Sequence, residues 1–315
     1  MQIAQMKPLL QILTLIGAYD IIKLSFQYPC DKGNVGCVKR KKKVDYLILS
    51  AQTREASHKG KRLGNIPYKV GFMVTCLVNS FRPPVGFASI KLLENAGCEV
   101  TVPPTQTCCG QPSYNSGDTA GTIGLAKKTI QEFEKFDYMV APSGSCMGAV
   151  KAYPSLFEAG DQWKDRAEKL ANKSYELTQF LCAILKYKPT AKFEESFTYH
   201  DACTGLRELK IKNQPRALLK EVGANLHEME DGDVCCGFGG LFSIKYSDIS
   251  DRIVNQKTDN IKDTDITHLL GGDLGCLINM AGKLKRGGSN IEVRHLAEVL
   301  SGLALEPPIM GEEKK

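Results

Sequence analysis

The chain has 315 residues, 43% of them hydrophobic and 24% charged, which excludes wholesale disorder and accommodates one large domain or two ordinary ones. Its net charge of +6 is uneven. Residues 1–66 hold twelve Lys/Arg against four Asp/Glu, so residues 67–315 carry −2 and offer no basic body for nucleic acid.

The first 66 residues do not read as a domain. Their apolar run, Leu9 to Phe26, contains Asp20 and Lys23, so it falls short of the roughly 20 uninterrupted apolar residues of a membrane span. The basic run Lys39 to Lys43 follows the apolar one, the reverse of a secretory signal. Residues 1–66 are therefore expected to be a disordered or dispensable extension, and Cys30 and Cys37 within it receive no role. The setting expected is cytoplasmic, with membrane association only through partners.

From Tyr68 the pattern sharpens. Val70 to Thr75 reads as a buried strand, and Pro83-Pro84 opens a helix that closes at Gly97. Cys98 to Val102 is a second strand, Asn115 to Phe136 an amphipathic helix with Asn115 and Ser116 at its start, and Tyr138 to Ala141 a third strand. Gln162 to Leu185 reads as helix joining two halves. The plan then repeats: strand Phe197 to Asp201, helix from Pro215 to Gly223, strand Asn225 to Glu228, mostly helix from Leu241 to Asp263, strand Ile266 to Leu270, and a helix after Cys276. Strands alternating with helices over short connections predict parallel α/β sheets. The fold expected is two duplicated, Rossmann-like parallel-sheet domains, 67–193 and 194–315, related by a pseudo-two-fold and joined by helices.

The duplication is clearest in the twelve cysteines. Cys76 precedes Cys108-Cys109-Gly110 by 32 positions, and Cys203 precedes Cys235-Cys236-Gly237 by the same 32. Cys146 lies 37 positions after Cys109, and Cys276 lies 40 after Cys236. Packing thiols have no reason to repeat a spacing. Each cysteine follows a predicted strand, and parallel strands end on one rim, so loops far apart in sequence can bring four sulfurs together there. Helices starting at that rim would favour thiolate, the form that binds metal. Gly110 and Gly237 are expected to supply either φ > 0 or close approach of an amide to sulfur. Adjacent cysteines suit a polynuclear cluster better than a single tetrahedral ion, so an iron–sulfur cluster in at least one half is expected. Structural zinc and a vicinal dithiol/disulfide pair remain as alternatives. Cys98 and Cys182 are expected to pack in the core.

VTCLV around Cys76, CCGQPSYNSG from Cys108, PSGSC ending at Cys146, HDAC ending at Cys203, CCGFGGLFSIK from Cys235 and HLAEVL from His295 carry a resemblance over residues 68–302. The chain resembles the cysteine-rich Cys-Cys-Gly (CCG) domain iron–sulfur proteins, which include subunits of heterodisulfide reductase and glycolate oxidase, and within them the lactate utilization protein A type. The resemblance implies an electron-transfer subunit of a complex that oxidises L-lactate to pyruvate, rather than an enzyme active alone. Its partners would be a ferredoxin-like iron–sulfur subunit and a third subunit, and its cofactor a cluster, 4Fe-4S in the simplest case. The implied ligands are Cys76, Cys108, Cys109 and Cys146, then Cys203, Cys235, Cys236 and Cys276. Heterodisulfide-reductase members end each set with Cys-x-x-Cys; here the earlier position is Ser143 or Asp273, which favours a four-thiolate cluster or zinc, and these two residues are expected to cap the following helices in preference to supplying an oxygen ligand.

Other candidates are single residues. His200 could hydrogen-bond a ligand sulfur or move a proton. Arg207 could offset cluster charge or lie on a solvated helix face, and His295 reads as structural. No G-x-G-x-x-G follows a strand and no phosphate-binding G-x-x-x-x-G-K-[ST] is present, so the hydride chemistry of a nicotinamide is not expected in this chain.

Overall fold

The short apolar runs become the inner strands of two sheets, because a strand flanked on both sides and covered on both faces buries every side chain. The computed structural model describes residues 67–311; the expected extension 1–66, with Cys30 and Cys37, lies outside them. In chain order the first half contains β1 (Lys69–Phe72), α1 (Cys76–Phe81), α2 (Pro83–Asn95), β2 (Glu99–Thr101), α3 (Gln111–Asn115), α4 (Thr119–Phe133), β3 (Tyr138–Ala141), α5 (Gly144–Ala152), α6 (Gln162–Asn172), β4 (Ser174–Glu176) and α7 (Leu177–Gln179). The second contains β5 (Ser196–His200), α8 (Cys203–Arg207), α9 (Asn213–Glu221), β6 (Asn225–Leu226), α10 (Phe242–Lys245), α11 (Ser247–Lys262), β7 (His268–Gly271), α12 (Leu274–Arg286), β8 (Glu292–His295) and α13 (Leu296–Leu300).

The two sheets have the same order, β2-β1-β3-β4 and β6-β5-β7-β8, and every pairing is parallel. This is the duplicated Rossmann-like fold expected. In each sheet the chain runs outward from the first strand to the second, then crosses back to the third. The reversal leaves a crevice beyond the carboxyl ends of β1 and β3, and of β5 and β7, where open α/β sheets bind ligands.

Three expectations are corrected. The expected helix Asn115 to Phe136 is two helices, so Asn115 ends α3 rather than starting a helix. Gly117 takes φ 80°, and Asp118 then caps α4 by accepting the N–H of Gly121 at 2.9 Å. The expected joining helix Gln162 to Leu185 is interrupted by β4, which pairs with β3 through Met139↔Ser174. The fourth strand of the second sheet, β8, lies between α12 and the terminal helix, where none was read.

The halves meet reciprocally. α5 packs on α8, and α12 on α1, so each half presents the helix after its third strand to the helix after its partner's first. On the pseudo-two-fold itself, Ser143 Oγ donates to Asp273 Oδ2 at 3.1 Å. These are equivalent positions in the two halves. One apolar cluster runs through both sheets, joining Val70, Phe72 and Val140 to Phe197, Leu269 and Val293. The Arg82–Glu298 ion pair, at 2.9 Å with Glu298 buried, ties the start of α2 to α13.

The contact is close because glycine makes it so. A Cβ on Gly144 would stand 3.0 Å from Gly205 Cα and 3.2 Å from its N, both backbone atoms. Gly144→Val should therefore lower stability by about 1–3 kcal/mol through overpacking. Gly124→Ala on α4, where a Cβ meets nothing within 4 Å, should be neutral or slightly stabilising. Urea denaturation of the two variants checks this; equal midpoints would remove the role of Gly144 at the interface.

Candidate metal centres

Each cysteine quartet gathers at the crevice of its own sheet. Cys76 is the first residue of α1, directly beyond β1, and Cys146 is the third residue of α5, beyond β3. Cys108 and Cys109 arrive on the loop after β2. The Cys76 and Cys108 sulfurs lie 3.9 Å apart. Cys108 is hydrogen-bonded to Cys109 as well as Cys76, and Cys109 to Cys146. In the second half the hydrogen-bonded series runs Cys203, Cys235, Cys236, Cys276, with Cys203 opening α8 and Cys276 third in α12. Four sulfurs drawn from three loops thus converge in both halves. In each set two thiols are buried (Cys109 and Cys146; Cys236 and Cys276) and two are half-buried.

Sulfur proximity splits the thiol affinities for protons. Hydrogen bonds from Cys109 and Cys76 pull Cys108 down to about 3. The donors move the other way: the bond to Cys108 and burial raise Cys76, and bonds to Cys108 and Cys146 with burial raise Cys109. Thiolate is the form that binds metal, and Cys108 is the sulfur placed to supply it.

The loops are held by paired devices. Gly110 and Gly237 adopt φ 83° and 81°, so both occupy the left-handed region; at Gly237 a Cβ would also meet Ser250 O at 2.7 Å. The carbonyl of the second vicinal cysteine is anchored in both halves, Cys109 O by the Tyr153 hydroxyl at 2.7 Å and Cys236 O by the Asn279 amide at 2.9 Å. Thr75, a β-branched residue at φ 69°, turns the chain from β1 into Cys76 and caps α1 through its hydroxyl. Ser143 caps α5 by accepting the Cys146 N–H at 3.2 Å. Asp273 behaves differently. It makes no side-chain cap on its own helix and instead accepts the N–H of Ser145, across the pseudo-two-fold, at 3.0 Å.

The supporting residues separate. His200 ends β5 with 1% of its surface exposed and no hydrogen-bond partner at either ring nitrogen. One of those nitrogens and the sulfurs of Cys236 and Cys276 all lie within 4.8 Å of one another, a set of donors able to hold a metal ion. Burial, with Lys257 adding to it, lowers His200 to about 3, so the imidazole is neutral. Arg207 is exposed at the end of α8. His295 is buried and caps α13 by accepting the Ala297 N–H at 3.2 Å. Cys98 packs in the core, and Cys182 is half-buried against Gln214 O.

Residues 70–151 and 197–281 each match the CCG cysteine-rich domain family. Over 235 residues, 74% of the chain, the sequence is 44% identical to lactate utilization protein A of Geobacillus sp. (strain WCH70), of which it covers 99%. Over the same share of the chain it is 42% identical to the protein of that name from Bacillus cytotoxicus and 43% to that from Geobacillus kaustophilus, covering 98% of each. The chain belongs to the lactate utilization protein A family. A solved structure of a hypothetical protein from Helicobacter pylori shares the fold with a TM-score of 0.54 at 11% identity, over 89% of this chain and 56% of that one.

Within this member of the lactate utilization protein A family, Lys257 and Glu176 are buried ionisable groups that the sequence left unread. Lys257 is 1% exposed, donates to Asp231 O at 2.7 Å and Gly232 O at 2.9 Å, and places its charge within range of Cys236. The available signal was its register, since it shares the buried face of α11 with Val254, Thr258 and Ile261. Glu176 ends β4 between the halves. Its Oε2 accepts the N–H groups of Thr178 and Gln179 at 2.8 and 3.2 Å, while Oε1 has no hydrogen-bond partner. Among the described residues no helix is long and apolar enough to cross a membrane.

Burial raises Glu176 from 4.5 to about 7, against the hydrogen bonds of Thr178 and Gln179. The folded protein therefore holds a proton that the unfolded chain releases first, so the contribution of Glu176 to stability is greatest below about 4.5 and is lost as pH rises towards 7. Glu176→Gln should flatten that decline. Melting curves at pH 5 and pH 8 read it out: wild type should lose more stability between them than the variant, and equal losses would contradict the assignment.

Proposed function

We propose that the chain is an iron–sulfur electron-transfer subunit of a complex that oxidises L-lactate to pyruvate. The observation that carries this reading is the convergence of two four-sulfur sets, one at each sheet's crevice, in a member of the lactate utilization protein A family. Cys76, Cys108, Cys109 and Cys146 would hold one centre, and Cys203, Cys235, Cys236 and Cys276 the other. The donor chemistry fits: thiolates are the usual ligands of iron–sulfur clusters, and vicinal cysteines reach neighbouring metal atoms more easily than one. Bound, such a centre, 4Fe-4S in the simplest form, supplies one-electron exchange.

The protein's own part is to hold and expose. Buried sulfurs fix each centre to the sheet, while half-buried Cys76, Cys108, Cys203 and Cys235 bring it close to the surface. Exposed Tyr114, Val234, Tyr246 and Ile249 follow or flank the vicinal cysteines in sequence and are apolar surface that a partner could cover. A ferredoxin-like iron–sulfur subunit and a third subunit are the partners proposed. Residues 67–193 and 194–315 are proposed as the two folding units, each with its own centre.

Zinc is the competing occupant, because four thiolates also suit it, and the imidazole beside Cys236 and Cys276 adds a nitrogen donor it accepts. Anaerobically purified full-length protein should be brown, contain iron and acid-labile sulfide, and bleach on reduction. Cys235→Ser should lose the iron of the second centre and keep most of the first, and Cys108→Ser the converse. Colourless protein with stoichiometric zinc overturns the electron-transfer reading; iron content unchanged by either substitution overturns the ligand assignment.

A further inference from the structure

The two quartets repeat each other, but the residue three positions before each first cysteine does not. In the first half it is Met73, wholly buried in the same apolar cluster as Cys109 and Cys146. In the second it is His200, equally buried, with both ring nitrogens unpartnered and one of them grouped with the sulfurs of Cys236 and Cys276. An imidazole desolvated without a partner is costly, and such groups call for an explanation.

The neighbouring polar groups are committed elsewhere. Asp273 is engaged by Ser143 and the Ser145 N–H. Asp201 is bound by both terminal nitrogens of Arg216, at 2.9 and 2.8 Å. Lys257 is spent on the carbonyls of Asp231 and Gly232, and the Asn279 amide on Cys236 O. His200 faces the sulfurs with its lone pair unused, at the deep end of the site, where Cys236 and Cys276 are buried.

We propose that His200 binds the metal of the second centre directly through a ring nitrogen, so that this centre has a mixed nitrogen–sulfur ligand set and the first an all-sulfur one. The inference rests on the metal reading above and deepens it. Neutral imidazole is a common metal ligand, and its nitrogen added beside Cys236 and Cys276 makes the second donor set unlike the first. Two centres with different donors would then accept electrons at different potentials, and the duplication would have produced a direction for transfer rather than two copies of one carrier.

The test uses the full chain, loaded anaerobically with iron and sulfide, and pulsed electron paramagnetic resonance of the reduced protein. A nitrogen coupling of the size of a directly bound imidazole is expected. It should change to the ¹⁵N pattern on selective ¹⁵N-histidine labelling, which alters no side chain. It should persist in Cys108→Ser, which keeps the second centre, and vanish in His200→Met, which installs the residue the first half already accommodates at this place. X-ray absorption at the metal edge of Cys108→Ser gives the same answer whichever metal is bound, as a nitrogen neighbour lost in the doubly substituted Cys108→Ser/His200→Met protein. Metal retained with an all-sulfur shell, or only the weak coupling of a hydrogen-bonded nitrogen, overturns the role of His200 and leaves the proposed function standing. Cys108→Ser protein that holds no metal overturns the second centre and this inference together.

Discussion

Parallel strands end on one rim, and a sheet whose chain reverses direction leaves a gap at that rim between its two inner strands. Everything at the candidate centres follows from this constraint. Cys76 and Cys146 are 70 positions apart in sequence yet sit on the first turns of helices leaving adjacent strands β1 and β3. The vicinal pair comes from the neighbouring outer strand. Conformation does the remaining work: Thr75 and Gly110 take positive φ to aim the chain into the gap, and Tyr153 holds the carbonyl that follows the second sulfur. Half of the ligands stand on helix starts, and the vicinal pairs, which lie on loops, are held by the left-handed glycine and the anchored carbonyl that follow them.

The parts of this architecture that were legible in the sequence are those with one dominant cause. Inner strands β1, β3 and β7 carry apolar runs because both faces are covered, and β5, Ser-Phe-Thr-Tyr-His, is as buried through its alternating aromatics. The cysteine spacing and the two glycines could be read because the same residue types recur at the same places in both halves. Edge strand β4 had no such signal. Its three residues, Ser-Tyr-Glu, are two polar groups around one aromatic, and what makes them a strand is pairing with β3, a tertiary effect. The Ser-Gly-Asp break between α3 and α4 was legible as local chemistry and was overridden by the amphipathic period on either side of it.

Lys257 and Glu176 illustrate a second limit. A charged residue is read as solvated by default, and only the fold turns it inward. Lys257 is admitted because two carbonyls receive its ammonium, and Glu176 because backbone N–H groups receive one of its oxygens. Neither set of partners is near in sequence for Lys257, whereas those of Glu176 are two and three residues on. The Glu176 cap could have been anticipated from a carboxylate preceding Leu-Thr-Gln; the burial that raises its proton affinity could not.

Pseudo-symmetry imposes a condition that true symmetry would not. A residue on the axis meets its own counterpart, so position 143 must be complementary to position 273. Two serines there would leave no anion for the positive end of α5, and two aspartates would press like charges together in a buried contact. Ser143 with Asp273 resolves the conflict: one donates its hydroxyl, and the other accepts that and a backbone N–H of the opposite helix. The cost of this arrangement falls on the site. Asp273 spends Oδ2 on the interface, and the unpartnered donor left beside the sulfurs of the second quartet is a histidine from β5. Divergence forced at the interface between halves thus reaches the two sulfur sites, because in this fold the helix starts that carry the last cysteine of each set are also the surfaces on which the halves meet.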